Sequence, residues 1–204
     1  MATATIAETT LPRRSLSQPH PYLVEGGDCG ACALGGLIGL PSPADVYALF
    51  GETRSLQWTE QRQVLCNASS RGLVDRLVDG TPLWPHAAPQ FDLAWGLPGW
   101  WCQSGEWFRY VRMAMDAGYY GVATVAWDGG GPRSPVNHAV LLCGARERQE
   151  LHPSVPGASS LKTEILVSCS ARGGDAQWVG AHEFLRDSGG FNVLLARPAR
   201  ERQA

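Results

Sequence analysis

Apolar positions recur at helical spacing in some stretches and run together or alternate in others, and this division orders the chain. From about Cys29 to Leu40, Leu34, Leu37 and Ile38 share one helical face, and Pro41 stops the run. Ser42-Pro43-Ala44-Asp45 starts a second helix with Ser42 as N-cap and Pro43 at the first position. Val46, Leu49 and Phe50 form its apolar face and Gly51 its end. Trp107, Val111 and Met115 recur within a further helix, Glu106 to Ala117, closed by Gly118. Shorter helical patterns cover Gln61–Cys66, Arg71–Val78 and Ala181–Asp187. Strand-like runs cover Pro21–Val24, Gly121–Trp127, Val136–Gly144, Thr163–Cys169 and Phe191–Ala196, with Val136–Gly144 the strongest. Helices come first and strands follow at short spacing, so the predicted fold is α+β, with helices packed on an antiparallel sheet.

Polar and Pro/Gly-rich intervals set the boundaries. Residues 1–20 read as a flexible arm, residues 21–198 as a single domain and residues 199–204 as a charged tail. Thr81 to Trp101 reads as a long irregular loop. Its Trp84, Trp95, Trp100 and Trp101 are placed either to line a substrate groove or to pack on the core. Arg146 to Lys162 reads as a charged, Pro-containing loop.

Composition narrows the classes. The 204 residues suit one domain with a sizeable core. A formal net charge of -2 gives no reason to expect nucleic acid or an anionic membrane surface as partner. No apolar run approaches the ~20 residues of a membrane span. Met1 to Arg14 carries no apolar central run, so no signal peptide is expected. Of the six cysteines, Cys143 and Cys169 lie in strand-like runs where buried free thiols are common, and reduced, cytoplasmic thiols are the expectation. No cofactor is expected.

The chemistry concentrates in Gly26-Gly27-Asp28-Cys29-Gly30-Ala31-Cys32, a Gly-Gly-Asp turn running into the first helix. Unpaired N–H groups and partial positive charge at a helix start favour a thiolate, and flanking glycines let a substrate backbone approach. The helix start and a histidine base are therefore expected to lower the Cys29 pKa, with Asp28 opposing; Asp28 is spent as the N-cap, accepting first-turn N–H groups. A thiol nucleophile needs such a base. His20, His86, His152 and His182 fall in the arm, in loops or on a short surface helix, whereas His138 opens an apolar strand directly after a Gly/Pro turn. Gly27, Asp28 and Asn137 flank the two groups and, with Trp100 and Trp101, are the candidate substrate contacts.

Asp28-Cys29-Gly30-Ala31-Cys32-Ala33-Leu34 resembles the active-site start of the bacteriocin-leader (double-glycine) peptidases, a branch of the papain-like cysteine peptidases. Asn137-His138-Ala139-Val140-Leu141-Leu142 is similar to the His-strand of the papain-like group, about 110 residues on. The resemblance implies a papain-like fold and a thiol hydrolase acting on peptide or amide bonds of a peptide or protein substrate. It makes Cys29 the nucleophile in the leader-peptidase register, or Cys32, with Cys29 in a disulfide, in the Cys-Gly-Xaa-Cys register of papain. It also implies a glutamine shortly before the nucleophile, where Leu23 or Gly26 stands, and an orienting Asp or Asn after the His-strand. Ser168 or Cys169 stands at that last place, and Asp175 a few residues later. Other classes remain: a catalytically impaired papain-like module that binds a peptide or protein, an acyltransferase or deamidase using the same pair, a thiol–disulfide motif at Cys29–Cys32, and a zinc site, for which no second Cys pair exists.

Overall fold

Helix α1, Cys29–Ile38, is buried along its length from Gly30 to Ile38 and ends at Gly39, whose φ of 87° is left-handed. The Gly39 and Leu40 N–H groups donate to the Gly35 carbonyl at 2.8 and 2.9 Å. The computed structural model describes residues 3–17, 28–51, 58–75, 100–125, 138–151, 158–187 and 193–199. Helix α2, Pro43–Phe50, starts as its sequence requires, with Ser42 Oγ accepting from the Asp45 N–H and Pro43 in the first turn. Helices α3, Trp58–Ser70, and α4, Trp100–Asp116, follow. A six-stranded antiparallel sheet is built from β1, Thr3–Thr10; β2, Tyr120–Val125; β3, His138–Leu151; β4, Ser159–Ser168; β5, Ala176–Gly180; and β6, Val193–Ala196. Helix α5, Ala181–Asp187, links the last two strands.

The strand order is β5-β4-β3-β2-β6. Strand β2 pairs with His138–Leu142 of β3, and β1 pairs with its continuation, Gly144–Glu150. Both faces of the first half of β3 are covered. Val140, Leu142 and Ala145 join α4 and α5 in one core, while Leu141 and Cys143 join α1, α2 and α3 in the other. A bulge between Leu142 and Gly144 separates that buried half from a half-exposed ribbon. The α+β framework and its antiparallel sheet therefore stand as expected, with helices on both faces. Among the described residues no single helix is long and apolar enough to cross a membrane.

Residues 3–17 are not a loose arm. After β1 the chain runs as a strap across α1: the Leu16 N–H donates to the Cys32 carbonyl at 3.0 Å and the Arg13 guanidinium to the Leu37 carbonyl at 2.8 Å. A Cβ at Gly36 would overlap the Arg14 carbonyl, a backbone atom with no freedom to give way. Gly36→Ala is expected to destabilise the protein by about 3 kcal/mol, the upper end for overpacking. Gly105→Ala, in open space on α4, is expected to be neutral or stabilising by about 0.5–1 kcal/mol. Urea midpoints at unchanged slope measure both, and equal midpoints for the two variants would remove the strap from the account.

The segment from Arg146 to Lys162 is a second correction. Its charges belong to the β3–β4 ribbon, where they pair across strands and to α4: Arg146 with Glu164 at 2.7 Å and Arg112 with Glu147 at 2.8 Å. Burial pushes the Glu164 carboxyl up, but the Arg146 hydrogen bond and the charges of Arg146, Arg148 and Lys162 outweigh it and hold it below the usual carboxylate range. The expected helix over Arg71–Val78 is instead a turn and an isolated bridge from Val74 to Pro198 as far as residue 75. Pro21–Val24 and most of the Thr81–Trp101 loop lie outside the described residues, and α4 begins at Trp100, inside the interval expected to be loop.

Candidate active site

Cys29 occupies the first turn of α1, and the helix lies against β3 so that its thiol meets the strand at its first residues. Strand β4 ends at Ser168, opposite Leu141, so β3 runs on past its neighbour. The Ala139 N–H there donates to Cys29 Sγ at 3.4 Å instead of to a strand. The imidazole of His138, the preceding residue, is 2% exposed. Thus the helix-start thiol and the strand-start histidine, chosen from sequence on separate grounds, come to one strand end. No hydrogen bond joins them. His138 Nδ1 is buried without a partner among the described residues, and Nε2 lies 3.1 Å from Cys169 Sγ.

The electrostatics describe two neutral groups. Burial holds the His138 imidazole down at about 4, so it is an uncharged base at neutral pH. The half-buried Cys29 thiol is pushed up by burial. The N–H groups of Ala139, Gly30 and Cys29 itself pull it back and the Asp28 charge adds to the rise. The expected lowering of the Cys29 pKa is therefore overturned: loss of hydration outweighs the N–H groups around the sulfur. Cys32 is fully buried one turn deeper, with Sγ 3.8 Å from the Ser17 carbonyl, and burial, Asp28 and Cys29 push it up to about 12. Cys29, Cys32, Cys66, Cys143 and Cys169 are all free thiols.

The remaining candidates sort by geometry. Ser168 is not an orienting residue for His138. Its hydroxyl accepts from the Ser15 N–H at 2.9 Å and donates to the Gly174 carbonyl at 2.6 Å, tying the strap to the end of β4. Asp175 is exposed, and its carbonyl accepts from the Cys169 N–H at 3.2 Å. Asp28 does not cap α1 with its side chain as expected; its carboxylate accepts instead from the Tyr47 hydroxyl at 2.5 Å. Tyr47 on α2 carries no signal in the sequence that links it to the site. Trp100 and Trp101 open α4. Gly27 and Asn137, like Trp84 and Trp95, lie outside the described residues. Among the described residues no group of three or more His, Cys, Asp or Glu is placed to hold a metal ion.

Comparison with protein-family models, with curated proteins and with solved structures gives no match to this chain.

Proposed function

We propose that the protein is a thiol hydrolase of the papain-like kind, cleaving a peptide or amide bond of a peptide or protein substrate through Cys29, His138 and a thioester. The single observation that carries this reading is the 3.4 Å contact from the Ala139 N–H to Cys29 Sγ, which joins the nucleophile helix to the histidine strand. As sulfur bonds to the carbonyl carbon, the thiol proton passes to His138 Nδ1. The C–N bond then breaks as the imidazolium returns that proton to the departing amine. Water, deprotonated by the same nitrogen, displaces sulfur from the thioester, and the thiol takes the proton back. Backbone N–H groups at the start of α1 are the donors for the oxyanion. Neutral His138 is the protonation state a general base requires, and Cys29, half-buried, rather than the fully buried Cys32 is the thiol a substrate can reach.

A second reading keeps the fold and removes the turnover: a module that binds a peptide or protein partner. It is favoured by Cys169, a thiol, at the histidine's outer nitrogen, where catalysis is better served by a carboxylate or amide. Incubation of a mixed peptide pool with wild type and with Cys29→Ala, followed by mass spectrometry of new termini, separates the two. Hydrolysis gives new termini in wild type only. Peptides retained by both proteins with no new terminus would replace the hydrolase with the binding module, and glutamine converted to glutamate without cleavage would move the same chemistry to side-chain amides.

A further inference from the structure

We infer that Tyr47 is a positioning residue for Cys29: its hydroxyl keeps the Asp28 carboxylate from capping α1, so that the first-turn N–H groups stay open to the sulfur and to the carbonyl oxygen of a substrate. The part that concerns substrate rests on the Cys29 hydrolase reading. Asp28 stands at the N-cap of α1, where a carboxylate ordinarily accepts N–H groups of the first turn, yet its side chain makes no capping bond. It accepts instead from the Tyr47 hydroxyl at 2.5 Å. The Asp28 backbone, at φ -78° and ψ 10°, is outside the extended region of a capping residue, and its carbonyl accepts from the Cys32 N–H at 2.7 Å.

Helix α2 places the tyrosine. Ser42 and Pro43 set the start of that helix, Val46 and Leu49 are its buried residues, and the Gly51 N–H donates to the Tyr47 carbonyl at 2.8 Å. The half-buried ring packs on the core that α1 and α2 share, which brings its hydroxyl to the start of α1. The consequence falls on the neighbouring sulfur. A helix leaves its first N–H groups without partners in the helix itself. Here those of Cys29 and Gly30 favour the Cys29 thiolate, as the Ala139 N–H does from β3, while burial and the Asp28 charge oppose it. A carboxylate turned onto α1 would take N–H groups from the sulfur and bring its charge closer. It would also occupy donors that a substrate oxyanion needs.

The test is a double-mutant cycle read at the sulfur. Iodoacetamide alkylation at Cys29 is followed at neutral pH in wild type, Tyr47→Phe, Asp28→Ala and the double variant, beside kcat/KM for a cleaved peptide. Tyr47→Phe keeps the packed ring and frees the carboxylate to cap. It is expected to slow alkylation about threefold: losing one hydrogen bond cuts the thiolate about tenfold, and the greater nucleophilicity of the rarer thiolate returns part of that. Its kcat/KM should fall as well. Asp28→Ala should be alkylated faster than wild type, since the opposing charge is gone, and the double variant should match it. Tyr47→Phe alkylated as fast as wild type or faster, as a merely loosened helix start would be, would overturn the inference. So would an equal slowing by Tyr47→Phe in the Asp28→Ala background, because a purely structural tyrosine acts whether or not the carboxylate is present. The expected alkylation order beside peptide cleavage that survives Cys29→Ser would uphold the positioning role and sink the hydrolase reading instead.

Discussion

Cys29→Ser is expected to abolish amide-bond hydrolysis, by on the order of 10³-fold or more, while Cys32→Ser keeps most of the wild-type rate. The two thiols are one helical turn apart and share the charge of Asp28, yet their surroundings divide them. Cys29 touches the N–H of the residue after His138, whereas Cys32 is sealed under the strap with its pKa pushed up to about 12. A serine at position 29 leaves the helix and the Ala139 contact in place, so its loss is chemical. At position 32 the same exchange removes a buried sulfur and lowers stability without touching the reacting atoms. Progress curves of a cleaved peptide at matched folded fractions measure it. The opposite ranking would transfer the nucleophile to Cys32 and restore the Cys-Gly-Xaa-Cys register.

His138→Ala is expected to lower the same rate by about 10²–10⁴-fold, the range for a positioned general base. The residue also leaves a signature in stability. Its folded pKa, about 4, lies below the ordinary 6.5, so between those values the unfolded chain binds the extra proton. Stability from this group is complete above about 6.5 and is lost as pH falls through that window toward 4. Urea midpoints of wild type should fall over that interval more steeply than those of His138→Gln, which cannot take up the proton. Parallel curves would mean that the ring titrates alike in both states and is not buried as described.

How much of this was legible in the sequence depends on where the signal is local. Helices α1 and α2 are punctuated by Pro41, Ser42-Pro43 and Gly51, and the structure ends α1 three residues before Pro41 and runs α2 from Pro43 to the residue before Gly51. His138 was legible because a polar ring at the head of an apolar run is conspicuous. What failed was long-range. Strand β1, Thr-Ala-Thr-Ile-Ala-Glu-Thr-Thr, has no core pattern of its own and becomes a strand by pairing with β3. The charges from Arg146 to Lys162 look like a solvated loop until their partners across the ribbon are known. Arg146, for example, bonds Glu164 and stacks 4.1 Å over Trp178. The choice between Ser168, Cys169 and Asp175 was open for the same reason. Only the register, Leu141 opposite Ser168, puts the Cys169 sulfur on the histidine and turns the Ser168 hydroxyl to the strap. The activation of Cys29 was misjudged in sign because the number of N–H donors is readable from a helix start, whereas the depth of burial is not.

The central claim is that His138 is the base for Cys29, and the rate of alkylation at Cys29 against pH, in wild type and in His138→Ala, tests it most directly. Burial holds the resting thiol above the ordinary range, so a lone Cys29 reacts appreciably only in alkali. If the imidazole takes the Cys29 proton, wild type should react at neutral pH at a rate that declines as the ring protonates toward pH 4, and His138→Ala should lose that neutral reactivity and keep only the alkaline rise. Identical profiles for the two proteins would contradict the dyad and leave Cys29 a half-buried thiol at a helix start.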